Sequence, residues 1–383
     1  MKTRYQIRLF NVSGTQVAVF DDTGGFRKFS FARRLNGKGL YMAEFNGKDN
    51  RVPLFVLDAQ LEFRRFVEDN GEIVLDWYTE FEAVHRTPVF QAAGKDKIDL
   101  CSHGFGYNEL LARREIRYRA GTDGAQKSGA GESVMKEYVD ENIGPSATTA
   151  NGRLKNGVMT GFSVEADGAT GSIWKGSRSY KNLLGVLQEI AINTEIDFQV
   201  VGDGAGLFKF QTFQGTDRST VGLDKSTGLN GAGKVPVIFS YKRGMMRDVL
   251  YSLNRSSEAN SILVLGQGQK TIRTTELVED AEAIDDSPWN LREASINAQR
   301  EGDPDALEAT GKTFLAEQGA RESFNFEVVP TNGAVYGLHY FLGDTMTARF
   351  EPIDIEKHLK LVGVTGTYEN GVERIDHEFA ELL

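Results

Sequence analysis

The sequence has one cysteine, eight prolines and no apolar run near the roughly 18 residues that a membrane helix needs. Its single thiol, Cys101, excludes an internal disulfide framework and a cysteine-rich metal site. Cys101 lies in an apolar run, which predicts a buried thiol. The first ten residues, MKTRYQIRLF, lack the apolar segment of a secretory signal peptide. We therefore expect a soluble chain with no membrane span.

An excess of basic residues is also missing. The chain carries 44 Lys and Arg against 54 Asp and Glu, a net charge of −10. A protein that binds nucleic acid normally presents a basic surface that displaces phosphate counterions. The acidic balance therefore argues against nucleic-acid binding, although it permits a role in which DNA only passes the protein.

Glycine is abundant, with 42 residues, and eight glycines follow an asparagine: Gly37, Gly47, Gly71, Gly152, Gly157, Gly231, Gly333 and Gly371. Asn-Gly suits the positive φ angles of two-residue hairpin turns, so this repetition predicts antiparallel sheet. The 383 residues and the 40% hydrophobic content predict two to four folded domains.

The periodicity predicts three domains. Residues 1–107 read as strands, with a hairpin about Asn70-Gly71, and we expect a first small barrel. Residues 108–233 combine helices in ESVMKEYVDENI and SYKNLLGVLQEIA, the second with Tyr180 on its apolar stripe, with a hairpin near Gly204. This α+β domain ends in a glycine-rich loop. The predicted fold is mainly β: two small antiparallel barrels joined by an α+β domain.

Residues 234–383 return to strands and form the predicted second barrel, with a helical insertion around 244–320. Met245, Val249 and Leu253 predict a short amphipathic helix. Asp303-Pro304-Asp305 is a favourable helix start, because Asp303 can cap it and Pro304 suits the first helical position. Gly319 should end that helix, whose predicted inner face comprises Leu307, Thr310, Phe314 and Leu315.

The stretch from Ile98 to Gly121 is interpreted as a seam between the first two domains. Alternation on a strand ends at Gly104 and Gly106, which we expect to break it, and Asn108 is placed to cap a short helix that buries Leu110 and Leu111. A basic cluster follows, consisting of Arg113, Arg114, Arg117 and Arg119. We expect these arginines to pair with acidic neighbours at a domain or subunit contact.

Several motifs suggest enzyme chemistry only weakly. GLNGAGKV at 228–235 resembles a phosphate-binding loop, but Val235 replaces the required hydroxyl and a strand-like run follows. Gly266 and Gly268 lack the rest of a dinucleotide motif. Glu80 and Glu82 are a carboxylate pair of the kind a glycoside hydrolase uses. Asp354, Glu356 and His358 alternate, which would place them on one face of a strand, the arrangement that a metal site needs. We predict no catalytic, cofactor or metal site; a cell-wall hydrolase or nucleotide-binding enzyme remains the alternative.

Ordered patches of the sequence resemble the tail hub proteins of long-tailed bacteriophages and prophages. The resemblance runs from about residue 60 to the end through GFGYNELLARREI, ESVMKEYVDENIG, SYKNLLGVLQEIA, FQTFQGTDRS, SSEANSILVLGQGQ, Arg292-Glu293, YGLHYFLGDTMTARF and VTGTYENGVERIDHEF. Within these patches we take six residues as structural motif positions: Gly104, Gly106, Leu110, Leu111, Gly343 and Asp344.

The resemblance implies a homotrimer in which two similar barrels per chain form a pseudo-sixfold ring. Such a ring matches the hexameric tail tube to a threefold tip and encloses a channel for genome release. The implied partners are the distal tail adaptor ring, the tail tube, the tape measure protein and a central fibre or receptor-binding protein, with DNA only in passage. The implied location is the tail tip of the virion, after synthesis in the host bacterial cytoplasm. A hub of a contractile injection device or tailocin is the close variant.

Overall fold

The computed structural model describes residues 2–93, 97–117, 124–204, 206–299, 302–331 and 333–381. The strands are β1 Lys2–Phe10, β2 Gln16–Asp21, β3 Lys28–Arg34, β4 Leu40–Asn46, β5 Gln60–Asp69, β6 Glu72–Ala93, β7 Lys97–Gly106, β8 Gln126–Ala130, β9 Phe162–Val164, β10 Ile173–Ser177, β11 Asp197–Gly202, β12 Phe208–Phe213, β13 Asp217–Arg218, β14 Ile238–Ser240, β15 Met246–Asn254, β16 Ser261–Leu265, β17 Thr275–Glu279, β18 Glu293–Asn297, β19 Arg321–Val328, β20 Thr345–Phe350, β21 Ile355–Glu369 and β22 Val372–Glu381. The α-helices are α1 Glu109–Ala112, α2 Gly131–Asn142, α3 Leu183–Thr194, α4 Ala281–Asp285 and α5 Pro304–Gln318.

The chain forms two compact units. The larger unit combines Met1–Met245 with Val328–Leu383, and the smaller unit is Met246–Glu327. The predicted mainly β fold with an α+β insertion is confirmed. The three-domain division at 1–107, 108–233 and 234–383 stays a prediction. Among the described residues, no helix is long and apolar enough to cross a bilayer.

A twelve-stranded sheet dominates the larger unit. Its strands follow the order β13-β20-β21-β3-β4-β7-β6-β5-β1-β2, and β14 and β22 pair with β20 and β21. The antiparallel pairing of β21 with β3, from Gly363 opposite Arg34 to Glu369 opposite Lys28, links strands from the two ends of the chain. The strands expected in two separate barrels are therefore hydrogen-bonded into one sheet, a link that periodicity does not reveal.

Aromatic side chains fill the core of this sheet. Phe29 packs edge-on against Tyr5, with ring centroids 4.7 Å apart, and stacks on Tyr368 of β21. At the junction between β3 and β21, Phe31 lies opposite Gly366, where a Cβ would come within 2.4 Å of the ring. Phe31 therefore covers a backbone position that has no side chain, and the core is continuous across the two ends of the chain.

A second core belongs to the α+β part of the larger unit. The predicted helices are confirmed as α2 and α3, which bury Val134, Met135 and Tyr138 on one side and Leu183, Leu187 and Ile190 on the other. β11 and β12 form the predicted hairpin. Tyr180 was wrongly placed on the stripe: it is exposed, because α3 begins after Asn182, whose side chain accepts a hydrogen bond from the Gly185 amide.

The smaller unit contains β16 between β17 and β18, the pair β15 and β19, and helix α5. Asp303 caps α5 by accepting from the Asp305 amide, as predicted, and Leu307 is buried against Ile262 and Val264. Phe314 and Leu315 pack partly buried against this core, whereas Thr310 is exposed and is not part of the inner face. The smaller unit therefore has its own small apolar core.

Two further local predictions are wrong. Residues 246–254 are strand β15 rather than a helix, since Val249, Tyr251 and Leu253 also satisfy the two-residue period of a strand. Cys101 is only partly buried, because Leu100 and Ser102 occupy the inward positions of β7 and Cys101 points to the opposite face.

Among the described residues, Asn-Gly forms a two-residue hairpin turn at two positions. Asn70 and Gly71 have φ of 51° and 86° between β5 and β6, and Asn370 and Gly371 have 52° and 80° between β21 and β22. Both pairs have the positive φ values that a two-residue turn of this type needs. Asn332, in the other predicted turn of the final strands, lies outside the described residues.

A buried ion pair joins β5 to β22. Arg65 donates from Nε and Nη2 to the two carboxylate oxygens of Glu373, at 2.6 and 2.7 Å, and from Nη1 to the carbonyl of Tyr336. Tyr5 and Thr3 of β1 also donate to Glu373. The Arg65 side chain is 6% exposed and that of Glu373 14%. The pair is therefore bidentate, largely removed from water and fully supplied with hydrogen bonds.

Replacing Arg65 with Met should lower the free energy of unfolding by about 3–5 kcal/mol, because the Glu373 carboxylate would stay buried without its cation. Chemical denaturation monitored by fluorescence measures this loss. The matched control is Arg34→Met, which breaks the exposed pair with Glu378 on the same strand β22, with side chains 44% and 56% exposed. That control should cost less than about 1 kcal/mol. Equal losses in the two variants would contradict the assigned role of Arg65.

A partly buried histidine lies beside this pair. The His377 ring stacks on Phe379, and its Nε2 lies 3.0 Å from the Tyr340 hydroxyl. Burial, together with the positive charge of Arg65, lowers the pKa of His377 from 6.5 to about 4. The folded protein therefore keeps this ring neutral in a pH range where the unfolded chain protonates it.

Because the folded pKa of His377 is depressed, its contribution to stability is present above pH 6.5 and is lost as the pH falls from 6.5 towards 4. Substituting Gln for His377 should make the unfolding free energy fall less steeply over that range, by a difference on the order of 2–3 kcal/mol. Denaturation at a series of pH values tests this. Parallel pH curves for the two proteins would refute the prediction.

Candidate assembly surface

The two glycines at the predicted seam occupy different positions in β7. Gly104 lies inside the strand, so the break expected there is wrong, whereas Gly106 is its last residue and the strand ends there as predicted. A Cβ on Gly104 would lie 1.9 Å from the Val84 carbonyl oxygen, and one on Gly106 would lie 2.6 Å from the Lys38 oxygen. These glycines permit close backbone approach within the sheet.

The short helix α1, which follows β7, packs into the core of the α+β part. Leu110 and Leu111 are buried in the same core as α2 and α3. Asn108 precedes this helix but makes no capping hydrogen bond. Its side chain instead donates to the Gly37 carbonyl at 2.9 Å and accepts from the Val200 amide at 2.7 Å. The assignment of Asn108 as a cap was therefore wrong, because its side-chain amide hydrogen-bonds two backbone groups that are distant in sequence.

Gly343 and Asp344 form a second tight junction. Gly343 has φ of +97°, and its oxygen would lie 1.8 Å from a Cβ on Gly215. The buried Asp344 carboxylate accepts from the Thr216 amide at 2.7 Å, the Phe341 amide at 3.0 Å and Arg218 Nε at 3.1 Å. One carboxylate thus holds the segment around 216–218 against the start of β20.

Of the predicted basic cluster, Arg113 is engaged internally. It donates to Asp58 at 3.0 Å, and Arg86 donates to the same oxygen at 2.9 Å. Burial alone would raise the pKa of Asp58, but the two guanidinium groups hold it below its ordinary value. Arg119 lies outside the described residues.

Arg114 and Arg117 line a polar cleft together with Arg153 and Lys155, two residues that sequence reasoning missed. Nearly forty positions separate the two groups, and no local pattern relates them. The cleft has a volume of about 520 Å³. Backbone hydrogen bonds hold the segment around Arg114 against the start of α3: Leu183 N donates to the Arg114 carbonyl and Ile116 N to the Lys181 carbonyl.

The carboxylates considered for catalysis have structural partners. Glu80 is buried, accepts from Arg33 at 3.1 Å and from the Tyr336 hydroxyl at 3.0 Å, and also bonds Tyr78. Glu82 accepts from the Gly202 amide at 3.2 Å, and burial raises its pKa. Both carboxylates connect β6 to neighbouring segments.

The alternating acidic and histidine residues near 354–358 also have protein partners. Glu356 binds Arg349 at 2.7 Å and Thr220 at 2.8 Å, and His358 Nδ1 lies 3.0 Å from Thr347 Oγ1. Asp354 precedes β21 in a left-handed conformation, with φ of 56°. Among the described residues there is no group of three or more candidate metal ligands.

The segment that resembles a phosphate-binding loop leads into strand β14, not into the helix that such a loop requires. Its backbone is organised by Asn230, whose Oδ1 accepts from the amides of Ala232 and Lys234. The motif at Gly266 and Gly268 likewise forms a turn, with φ of +100° at Gly268. Neither segment has the geometry of a nucleotide site.

A sequence profile of the siphovirus ReqiPepy6 Gp37-like proteins matches residues 121–375. The chain belongs to this family. The matched range contains the α+β part, the smaller unit and most of the C-terminal strands, and thus includes most of the sequence patches that suggested a phage tail protein. No curated protein sequence matches the chain.

Solved structures similar to this family member include two tail proteins and a chain of a Francisella complex. The 43 kDa tail protein of prophage MuSo2 from Shewanella oneidensis is 12% identical, with a TM-score of 0.55 over 98% of each chain. The tail protein from Neisseria meningitidis MC58 is also 12% identical, with a TM-score of 0.52 over 98% of this chain and 96% of its own. A chain of the Francisella PdpA-VgrG complex is 9% identical, with a TM-score of 0.54 over 100% of this chain and 58% of its own. The siphovirus protein thus shares the tail-protein fold.

Replacing Gly104 with Ala should destabilise the protein by about 2 kcal/mol or more, because the new methyl group would overlap the Val84 carbonyl. The control is Gly185→Ala in α3, where a Cβ meets nothing within 4 Å. That substitution should stabilise by roughly 0.5–1 kcal/mol, because alanine favours a helix. Thermal and chemical denaturation compare the two variants. A neutral Gly104→Ala would contradict the close-approach role.

Proposed function

We propose that this protein is the hub at the tip of a long-tailed phage tail, with a structural rather than an enzymatic role. The observation that carries the proposal is membership of a siphovirus family together with a tail-protein fold over nearly the whole chain. The hub-like order of its sequence patches supports the specific position. The protein is synthesised in the host bacterial cytoplasm and is incorporated at the tail tip of the virion.

In this role three copies form a ring that adapts the sixfold tail tube to the threefold tip and surrounds the channel for the genome. Its neighbours are the tail tube, the distal tail adaptor ring, the tape measure protein and a central fibre or receptor-binding protein. The net charge of −10 supports DNA passage without retention, because an acidic wall repels phosphate. The six motif residues and the domain division at 107 and 233 serve the architecture of this ring.

A second candidate is the hub of a contractile injection device. The similarity to a chain of the Francisella PdpA-VgrG complex favours it, since the fold match covers 100% of this chain. The two candidates share the trimer and the axial position. They differ in the surrounding particle, because only the contractile device has a sheath around its tube.

Analytical ultracentrifugation of the purified protein should give a mass three times that of the 42.4 kDa chain. Electron microscopy of the particle should reveal three copies around the tail axis at the tip, and the presence of a sheath would select the contractile device. A stable monomer or dimer, with no copy near the axis, would reject the hub proposal. Peptidoglycan zymography is the companion test, and clear lysis by the purified chain would reject the purely structural role.

A further inference from the structure

The positive side chains of the arginine cleft are not balanced by carboxylates within the cleft. We define it by Arg114, Arg117, Arg153 and Lys155. Glu115 is the one carboxylate among the described lining residues, and its side chain is 59% exposed and 3.7 Å from Arg117. Arg153 is buried and donates to the carbonyls of Lys155 and Glu115 and to Asn142, none of which is charged. The cations of the cleft are therefore poorly compensated.

Burying these cations without nearby carboxylates is energetically unfavourable in a single chain. Burial, followed by the charge of Arg113, lowers the pKa of Arg114, and burial with Arg117 and Arg114 lowers that of Arg153. Arg114 Nε is buried and has no hydrogen-bond partner within the described part of the chain. Gly157 completes the site, since a Cβ there would lie 2.7 Å from the Arg153 guanidinium. Such a cleft favours an incoming carboxylate, which the planar guanidinium groups can bind bidentately.

The smaller unit contains a segment of complementary chemistry. Its 82 residues, 246–327, carry 16 acidic against 8 basic side chains, a net charge of −8 out of the −10 of the whole chain. Helix α4 has no buried residue, and Glu282 and Asp285 on it are exposed and one helical turn apart. These two carboxylates have no hydrogen bond or ion pair within the described residues.

An exposed tryptophan follows α4. Trp289 is 88% exposed, and Leu291 is 55% exposed. The turn is held to α4 because Asn290 Nδ2 donates to the Ala283 carbonyl at 2.7 Å, so the acidic and apolar groups are presented together. Large exposed aromatic side chains are typical of protein interfaces. The cleft in turn has exposed apolar groups beside it, Leu154 and Val158.

We infer that the segment 281–291 of one copy docks into the arginine cleft of a neighbouring copy, with Glu282 and Asp285 facing the arginines and Trp289 facing the apolar rim. Arginine planes can also stack on the indole ring. This inference rests on the proposed homotrimer and deepens it, because it names the surfaces that hold the copies together. Opposite charge at such a contact fixes the register between copies.

A charge exchange tests the contact. The cleft variant is Arg117→Glu with Lys155→Glu, and the segment variant is Glu282→Lys with Asp285→Lys. Each variant alone should raise the protein concentration at half-dissociation of the trimer at least about tenfold, and combining all four substitutions should restore it. The matched control is Lys225→Glu with Lys242→Glu, which makes the same charge change at exposed sites outside the cleft.

Cross-linking mass spectrometry on a mixture of isotopically heavy and light wild-type protein identifies the copy that supplies the segment. Heavy-to-light cross-links between the cleft and segment 281–291 support the inference. Cross-links confined to single copies, or trimers unaffected by either variant, overturn it and leave the hub proposal intact. A wild-type protein that is monomeric overturns the inference, and it overturns the hub proposal as well if the particle has no copy near the tail axis. Unchanged melting temperatures in the variants establish that loss of trimer is not loss of folding.

Discussion

The meeting of the two ends of the chain is the constraint on which the larger unit depends. Arg65 and Glu373 are 308 positions apart in sequence, yet they form a bidentate buried pair beside the junction of β3 with β21. The pair has a high desolvation cost, which is offset only when the geometry and the remaining hydrogen bonds are complete. Tyr5, Thr3 and the Tyr336 carbonyl supply those bonds. The interior is therefore not only apolar. Its buried ion pair also fits only one register of the terminal strands.

Positive and negative charges are concentrated in different parts of the chain. Cations are concentrated in the cleft of the α+β part, and most of the net negative charge belongs to the smaller unit. A protein whose charges were mixed evenly would have no electrostatic reason to associate in one orientation. With segregated charges, like surfaces repel and unlike surfaces attract, so in the proposed ring long-range forces would order the copies before their side chains touch.

The sequence predicted regular elements well where the apolar period was unambiguous, as in α2, α3 and the hairpin turns at Asn70-Gly71 and Asn370-Gly371. It failed where two periods coincide, as in β15, whose apolar positions suit both a helix and a strand. Asn108 was misread because its partners, Gly37 and Val200, are distant in sequence. The same reason hid Arg153 from the predicted basic cluster. Contacts that depend on tertiary proximity leave no local pattern, so the predicted basic cluster contained only residues that are close in sequence.

The pairing of β3 with β21 also determines when the protein can finish folding. Ribosomes synthesise the N-terminal strands first, and β3 then presents hydrogen-bonding groups that β21 satisfies only after more than 300 further residues have been made. Long-range pairing of this kind is slow, and an unsatisfied strand edge invites association with other chains. A nascent chain of this protein therefore passes through a long interval with an open edge. A chain truncated before β21 would keep that edge unpaired permanently.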